Sequence, residues 1–415
     1  MKNNIFALTT EELKATANVL QEKIEEGLTK DEMEIKAYPT YIKPKKDIKN
    51  GTALVLDWGG TNFRAAIVKF NEGKASIIET KKTELGAKET AGFTQEDLHE
   101  KMAETIGKLT SLDGSVTHIG YCFSYPAQCT EKGDAILKEW TKGIDINDMV
   151  GKPKENPVEP LVGTTLKNYL NKKFNNQFKE IKVLNDTVAC MFAGLTEQTA
   201  DKKPFDSYIG LIVGTGTNMA SLMRTDKIEK LKNNATVKEW KEIPVNLESG
   251  NFEPPYLTVV DGLVDAMSNN KGKQRFEKVI SGGYLGEIFK VVFQNEKITG
   301  KFDGEHVANM VKDPTTYPAE QVNVAAWIDQ RSAKLVAASL AGLVQVLRAQ
   351  DPNMKKFCLL ADGSVFWDKD LNGNPRYKRF VDKELKTLLP EDVSVTIIDE
   401  MEKPNLIGSA IAALS

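Results

Sequence analysis

Near the start of the chain Leu13, Ala17, Leu20, Ile24 and Leu28 recur at helical spacing, after a Thr9–Glu12 pair spaced as a capping box. The pattern predicts an amphipathic helix whose role is packing. Between Tyr38 and Gly51 the periodicity gives way to two prolines and several lysines, which suits an extended connector between lobes. Two distant segments then share one plan of apolar run, glycine-threonine-asparagine turn and apolar run. One is Leu54 to Val68 around Gly59-Gly60-Thr61-Asn62; the other is Ile209 to Met223 around Gly214-Thr215-Gly216-Thr217-Asn218. Each predicts a buried β-hairpin, and the pair predicts a duplicated lobe rather than an array of short repeats. From Val324 to Arg348, alanine-rich sequence carrying Trp327, Ile328, Leu335, Leu340, Leu343, Val344 and Leu347 predicts a core helix. Strand-rich and helix-rich stretches alternating along the chain give an α/β class with helices covering sheets.

Length changes this picture by dividing it: 415 residues exceed one ordinary core, so two lobes with a cleft between them are expected. A formal net charge of −3 gives no global pull toward nucleic acid or an anionic membrane and favours small-molecule chemistry. Cys122, Cys129, Cys190 and Cys358 are scattered without a C-x-x-C pair and read as reduced thiols. His99, His118 and His306 are scattered too, which suggests neither a zinc site nor a histidine-centred nucleophile. The N-terminal apolar run is too short for a signal peptide, so a cytoplasmic location is expected.

The candidate chemistry sits at the turns. Glycines at 59 and 60 let backbone N–H groups approach phosphate oxygens, and Asp57 just before them is placed to hold Mg²⁺, although an incidental aspartate beside a hairpin turn explains the motif as well. The second turn adds hydroxyls and Asn218. Asn185-Asp186-Thr187 follows an apolar run and precedes another, so Asp186 reads either as a reactive carboxylate or as a helix N-cap. Neither glycine turn matches the Walker or dinucleotide-binding loops.

In order, these segments resemble the eukaryote-type hexokinase and glucokinase family over nearly the whole chain. The resemblance rests on Asp57-Trp58-Gly59-Gly60-Thr61-Asn62-Phe63-Arg64, Phe123-Ser124-Tyr125-Pro126, Trp140-Thr141-Lys142-Gly143, Asn185-Asp186-Thr187-Val188, the second turn, and Gly272 through Glu287. It implies a two-lobed actin-like ATPase fold, made of duplicated ribonuclease H-like lobes around a central cleft. The small lobe would take 51–185 and 399–415, and the large lobe 1–50 and 186–398. It implies that Ser124, Thr141, Lys142, Asn185, Asp186, Asn218, Glu248 and Glu287 hold hexose hydroxyls, with Asp186 and Lys142 catalytic. Asp57, Gly59, Gly60, Thr61, Asn62 and Arg64 would form the first phosphate segment, with Asp57 on Mg²⁺. Gly214, Thr215 and Gly216 would form the second, and Gly363 and Ser364 would lie against the nucleoside. The chain departs from the family pattern at Ile144 (usually Phe), Ser249 (usually Trp) and Gly283 (usually Met).

The implied reaction passes the γ-phosphate of ATP to the 6-hydroxyl of glucose or a similar hexose, in a monomer or homodimer, with lobe closure on sugar binding. An actin-like ATPase of another class and a non-catalytic sugar sensor are the alternatives. The first has no use for the polar set around Asp186, and the intact Asp57 and Asp186 argue against the second.

Overall fold

The computed structural model describes residues 4–147, 161–293 and 302–415. Helix α1 (Thr10–Thr29) starts on the capping box that the sequence predicts: Thr9 and Glu12 side chains each accept the other's backbone N–H. The connector touches a sheet at β1 (Tyr38–Pro39). There follow β2 (Gly51–Trp58), β3 (Asn62–Asn71), β4 (Lys74–Glu84), α2 (Gln95–Ile106), β5 (His118–Phe123), β6 (Ala127–Cys129), β7 (Ala135–Leu137), α3 (Val162–Lys173) and β8 (Glu180–Leu184). Helix α4 (Asp186–Gly194) leads to β9 (Ser207–Val213), β10 (Thr217–Arg224) and β11 (Glu242–Asn246). Helices α5 (Val259–Met267), α6 (Arg275–Ile280), α7 (Gly282–Val292), α8 (Gly304–Lys312) and α9 (Ala319–Gln350) come next. Then come β12 (Lys356–Asp362), α10 (Arg376–Leu388), β13 (Ser394–Ile397) and α11 (Pro404–Ala413).

Two sheets repeat one topology. The first runs β4-β3-β2-β5-β8 and the second β1-β11-β10-β9-β12-β13. In each, the hairpin and its next strand are antiparallel, and the hairpin's first strand then starts a parallel series: β2 with β5 and β8, β9 with β12 and β13. The shared order and directions bear out the duplicated lobe that the paired hairpins predict and the ribonuclease H-like, actin-like architecture that the family resemblance implies. β6 and β7 form a separate ribbon.

Each sheet has its own core. Leu54, Leu56, Phe63 and Ile119 pack with Leu98, Met102, Leu166 and Leu170 of α2 and α3. In the second lobe Ile209, Leu211 and Met219 pack with α1 and α9. By length and composition α9 is apolar enough to cross a membrane, but 78% of its most apolar window is buried in this core. A third cluster joins the lobes: Val55, Ala66 and Cys122 of the first sheet and Tyr208, Ala220 and Cys358 of the second meet on α4 and α11. Closeness requires glycine there. A Cβ at Gly408 would lie 1.7 Å from the Ala189 carbonyl oxygen, and one at Gly120 would lie 2.0 Å from that of Ser409. The fold thus sets both glycine hairpins and the start of α4 around one cleft.

Candidate active site

Asp57 is the penultimate residue of β2, in register with Arg64 on β3 and Cys122 on β5. Its carboxylate accepts a hydrogen bond from Arg64 Nη1 at 2.9 Å. Burial pushes this carboxyl above the ordinary range; Arg64 opposes the rise, and the negative charge of Asp186 adds to it. Gly60 has φ +132°, and a Cβ there would meet Lys142 Cδ at 2.9 Å, so the turn closes tightly against the lysine. Gly59 and Thr61 are exposed at its tip, and Asn62 opens β3. Lys142 has φ +59° and its Nζ donates to the carbonyl oxygens of Gly59 and Ser124, both at 2.8 Å. It therefore ties the Ser124 and Thr141-Lys142 segments to the first hairpin.

Across the cleft, Asn185 rather than Asp186 caps α4: its Oδ1 accepts the Thr187 N–H at 2.9 Å. Asp186 becomes the first helical residue, where the helix N-terminus favours a carboxylate. Asn218 Nδ2 donates to Asn246 Oδ1 at 2.8 Å, and Asn246 Nδ2 donates to Glu248 Oε1 at 2.7 Å. Glu248 itself stands at φ +54° just after β11. Glu277, on the short helix α6, accepts the Thr217 N–H at 3.1 Å. Burial pushes both Glu248 and Glu277 above the ordinary carboxylate range, and Lys142 pulls both down. For Glu248 the charges of Asp186 and Glu277 add to the rise. Lys142 is thus near enough to act on both Glu248 and Glu277, and Asp186 near enough to act on Glu248. Asn185 and Glu248 also line one small pocket with Phe123 and Tyr125 of the first lobe.

The second turn is backed by α7: Gly282 and Gly283 donate N–H bonds to the carbonyls of Gly214 and Thr215 at 2.8 and 3.1 Å. A Cβ on Gly283 would stand 2.7 Å from the Thr215 oxygen, which gives a physical reason for glycine where the family usually has Met. Gly363, at φ +114°, lies against Val213 and Gly214 with Ser364 exposed beside it. The segment expected to meet the nucleoside therefore lies beside the second glycine turn. Of the other departures, Ile144 is part of the first lobe's core. Ser249 is fully buried, with its N–H bonded to Asn218 Oδ1 at 3.1 Å.

Family models described as hexokinase match residues 3–195 and, in a second model, 208–322 and 308–415. The chain belongs to the hexokinase family. It is 29% identical to spinach Hexokinase-1 over 419 residues, covering 88% of this chain and 80% of that protein. It is 31% identical to mouse Hexokinase-1 over 298 residues, covering 69% of this chain but only 29% of the mouse protein. In structure it resembles a Schistosoma mansoni hexokinase complexed with glucose, with TM-score 0.73, 23% identity, and 99% and 97% of the two chains covered.

One expected site residue of this hexokinase-family chain does not join the cluster. Glu287 lies on α7 with its side chain 44% exposed and bonded to Lys290 at 3.0 Å, one helical turn away. The chain breaks between α6 and α7 at Ser281, so the two helices present different faces, and the acid that reaches the cleft is Glu277. Its signal is an acidic residue inside the apolar run Phe276-Glu277-Lys278-Val279-Ile280. Asn246, the link between Asn218 and Glu248, is a second residue that motif reading misses. In a hexose phosphorylation assay, Glu277→Gln is expected to lower kcat/KM by about 10- to 100-fold, the scale of a lost charge-assisted hydrogen bond. Glu287→Gln should stay within about twofold of the parent; the reverse ranking would restore Glu287 to the site.

Proposed function

We propose that this chain is an ATP-dependent hexokinase that transfers the γ-phosphate to the 6-hydroxyl of glucose or a similar hexose. The carrying observation is the convergence of Asn185, Asp186, Asn218, Glu248 and Glu277 opposite the Asp57–Arg64 hairpin and Lys142. Amides and carboxylates in one half-buried cleft match a ring of hydroxyls, and they penalise analogues that leave them unpaired. That the Schistosoma relative is a glucose complex supports the same reading.

Asp186 takes the proton of the attacking hydroxyl, and Lys142 and the N–H groups of the two glycine turns stabilise charge on the phosphoryl group. Lys142 reaches this role by leaving its Gly59 and Ser124 carbonyls. Among the described residues no group of three or more His, Cys, Asp or Glu could hold a metal ion. A single buried carboxylate, Asp57, fits Mg²⁺ that arrives with the nucleotide, because Mg²⁺ keeps several waters and needs few protein ligands. When bound, Mg²⁺ neutralises phosphate charge. The work is proposed to take place in the cytoplasm, a reading supported by four cysteines that remain free thiols.

A coupled assay tests the proposal: ADP release should require glucose and match hexose 6-phosphate formed, whereas ATP turnover indifferent to glucose would point to an ATPase. Closure of the lobes on sugar excludes water from the transfer. Small-angle scattering should then give a smaller radius of gyration in saturating glucose, and an unchanged value contradicts closure.

The raised carboxyls give two opposite pH slopes. Hydroxyls donate to ionised Glu248 and Glu277, so sugar affinity falls as these groups protonate, beginning above the ordinary value of 4.5. Without sugar, the same groups bind protons more tightly folded than unfolded. Their contribution to stability is full below 4.5 and is lost as pH rises through the raised folded values. As pH is lowered from neutrality toward the ordinary carboxylate range, calorimetry should show glucose binding weaken, and Glu248→Gln should flatten that slope. A slope of the same size in the variant would remove Glu248 from the sugar contacts.

A further inference from the structure

We infer that the second lobe carries a pocket for a small organic anion, sharing no residue with the cleft, between α1, α9 and the end of α10. A cavity of about 560 Å³ lies there, within the size range of small-molecule sites. Lys14 and Gln21 of α1, Val344, Gln345 and Arg348 of α9, and Leu388 of α10 contribute to its wall, and no Asp or Glu lines it. The α9 residues fall at spacings of one, three and four, so they share one helical face.

The polar groups in this wall are incompletely used. Arg348 Nε and Gln345 Oε1 are both shielded from solvent with no hydrogen-bond partner. The other end of Gln345 is committed, with Nε2 donating to Asn18 Oδ1 at 3.2 Å. Asp392 feels the charge of Arg348 but is bonded to Lys355 at 2.9 Å. Lys14 is exposed on α1 and, like Arg348, has no ion pair among the described residues.

Two cations with no carboxylate in the wall select an anion, and the guanidinium suits the paired oxygens of carboxylate or phosphate. Val344 and Leu388 in the same wall suit a short carbon frame. The ligand class is therefore a small carboxylate or phosphate ester. The inference stands independently of the kinase proposal, since no residue of the cleft takes part.

Calorimetric titration of the full chain with glycerol 3-phosphate, glycerate and glycerol tests it and tells phosphate from carboxylate. At least one of the two anions should bind, with Kd in the range of about 10 μM to about 10 mM, and glycerol should not. Lys14→Glu, an exposed change on α1 that leaves the core intact, should weaken that binding at least about tenfold, and Arg348→Gln should do the same. The site is refuted if neither anion binds by about 10 mM, if glycerol binds as well as they do, or if Lys14→Glu binds them as tightly as the parent.

Discussion

Replacing Asp186 with alanine is expected to lower kcat by about 10²- to 10⁴-fold while glucose still binds, because the change removes proton acceptance from the attacking hydroxyl. Asp186 is the first residue of α4 and its Oδ1 accepts the Thr187 N–H at 2.7 Å, but Asn185 Oδ1 accepts the same N–H at 2.9 Å, so the helix start keeps a cap after the substitution. The charge it removes also acts on its neighbours: Asp186 raises the carboxyls of Asp57 and Glu248. The variant should therefore show a shallower pH dependence of sugar affinity as well as slow turnover. Steady-state kinetics together with calorimetric glucose binding separate the two effects. Turnover within about tenfold of the parent would show that another group takes the proton.

The second large effect concerns the contact between the lobes. Gly408→Ala is expected to destabilise the fold by about 3 kcal/mol or more, at the upper end for overpacked sites. Its new Cβ would lie 1.7 Å from the Ala189 carbonyl oxygen and 3.0 Å from the Ala193 nitrogen. Both are backbone atoms of α4, so no side-chain rotation relieves the overlap. α4 carries Asp186 at its start, so α11 must move away or α4 must shift, and activity should fall along with stability. Urea unfolding of the parent and variant measures the loss, and an unchanged midpoint would mean that α11 does not pack on α4 as described here. Gly92→Ala offers a comparison at a glycine with nothing within 4 Å; its φ of +79° still makes that site strained for alanine, though without overlap.

Much of this was legible in the sequence because it is local. The paired hairpins follow from apolar runs on either side of glycine turns, and α1 follows from its capping box and spacing. The parallel partners β5, β8, β12 and β13 carry no local mark of their neighbours, because parallel pairing joins segments far apart in sequence. Asn246 was invisible for a similar reason: it is an ordinary residue at the end of β11 until register sets it between Asn218 and Glu248. The exchange of Glu287 for Glu277 shows the limit of motif reading. Both acids fall within one familiar segment, and only the break at Ser281 decides which faces the cleft. The sequence leaves Asp186 between helix cap and reactive group, and in the structure Asn185 holds the N-cap position while the carboxylate of Asp186, the first helical residue, shares the Thr187 N–H.

The central claim is that one hexose fits between Asp186 and the Asp57 hairpin with its 6-hydroxyl turned to Asp186. A crystal structure with glucose and a non-hydrolysable ATP analogue measures this directly. The 6-oxygen is expected about 2.6–3.2 Å from the Asp186 carboxylate, with Asn218, Glu248 and Glu277 on the other hydroxyls. A sugar bound elsewhere, or bound with its 6-hydroxyl facing away from Asp186, would contradict it.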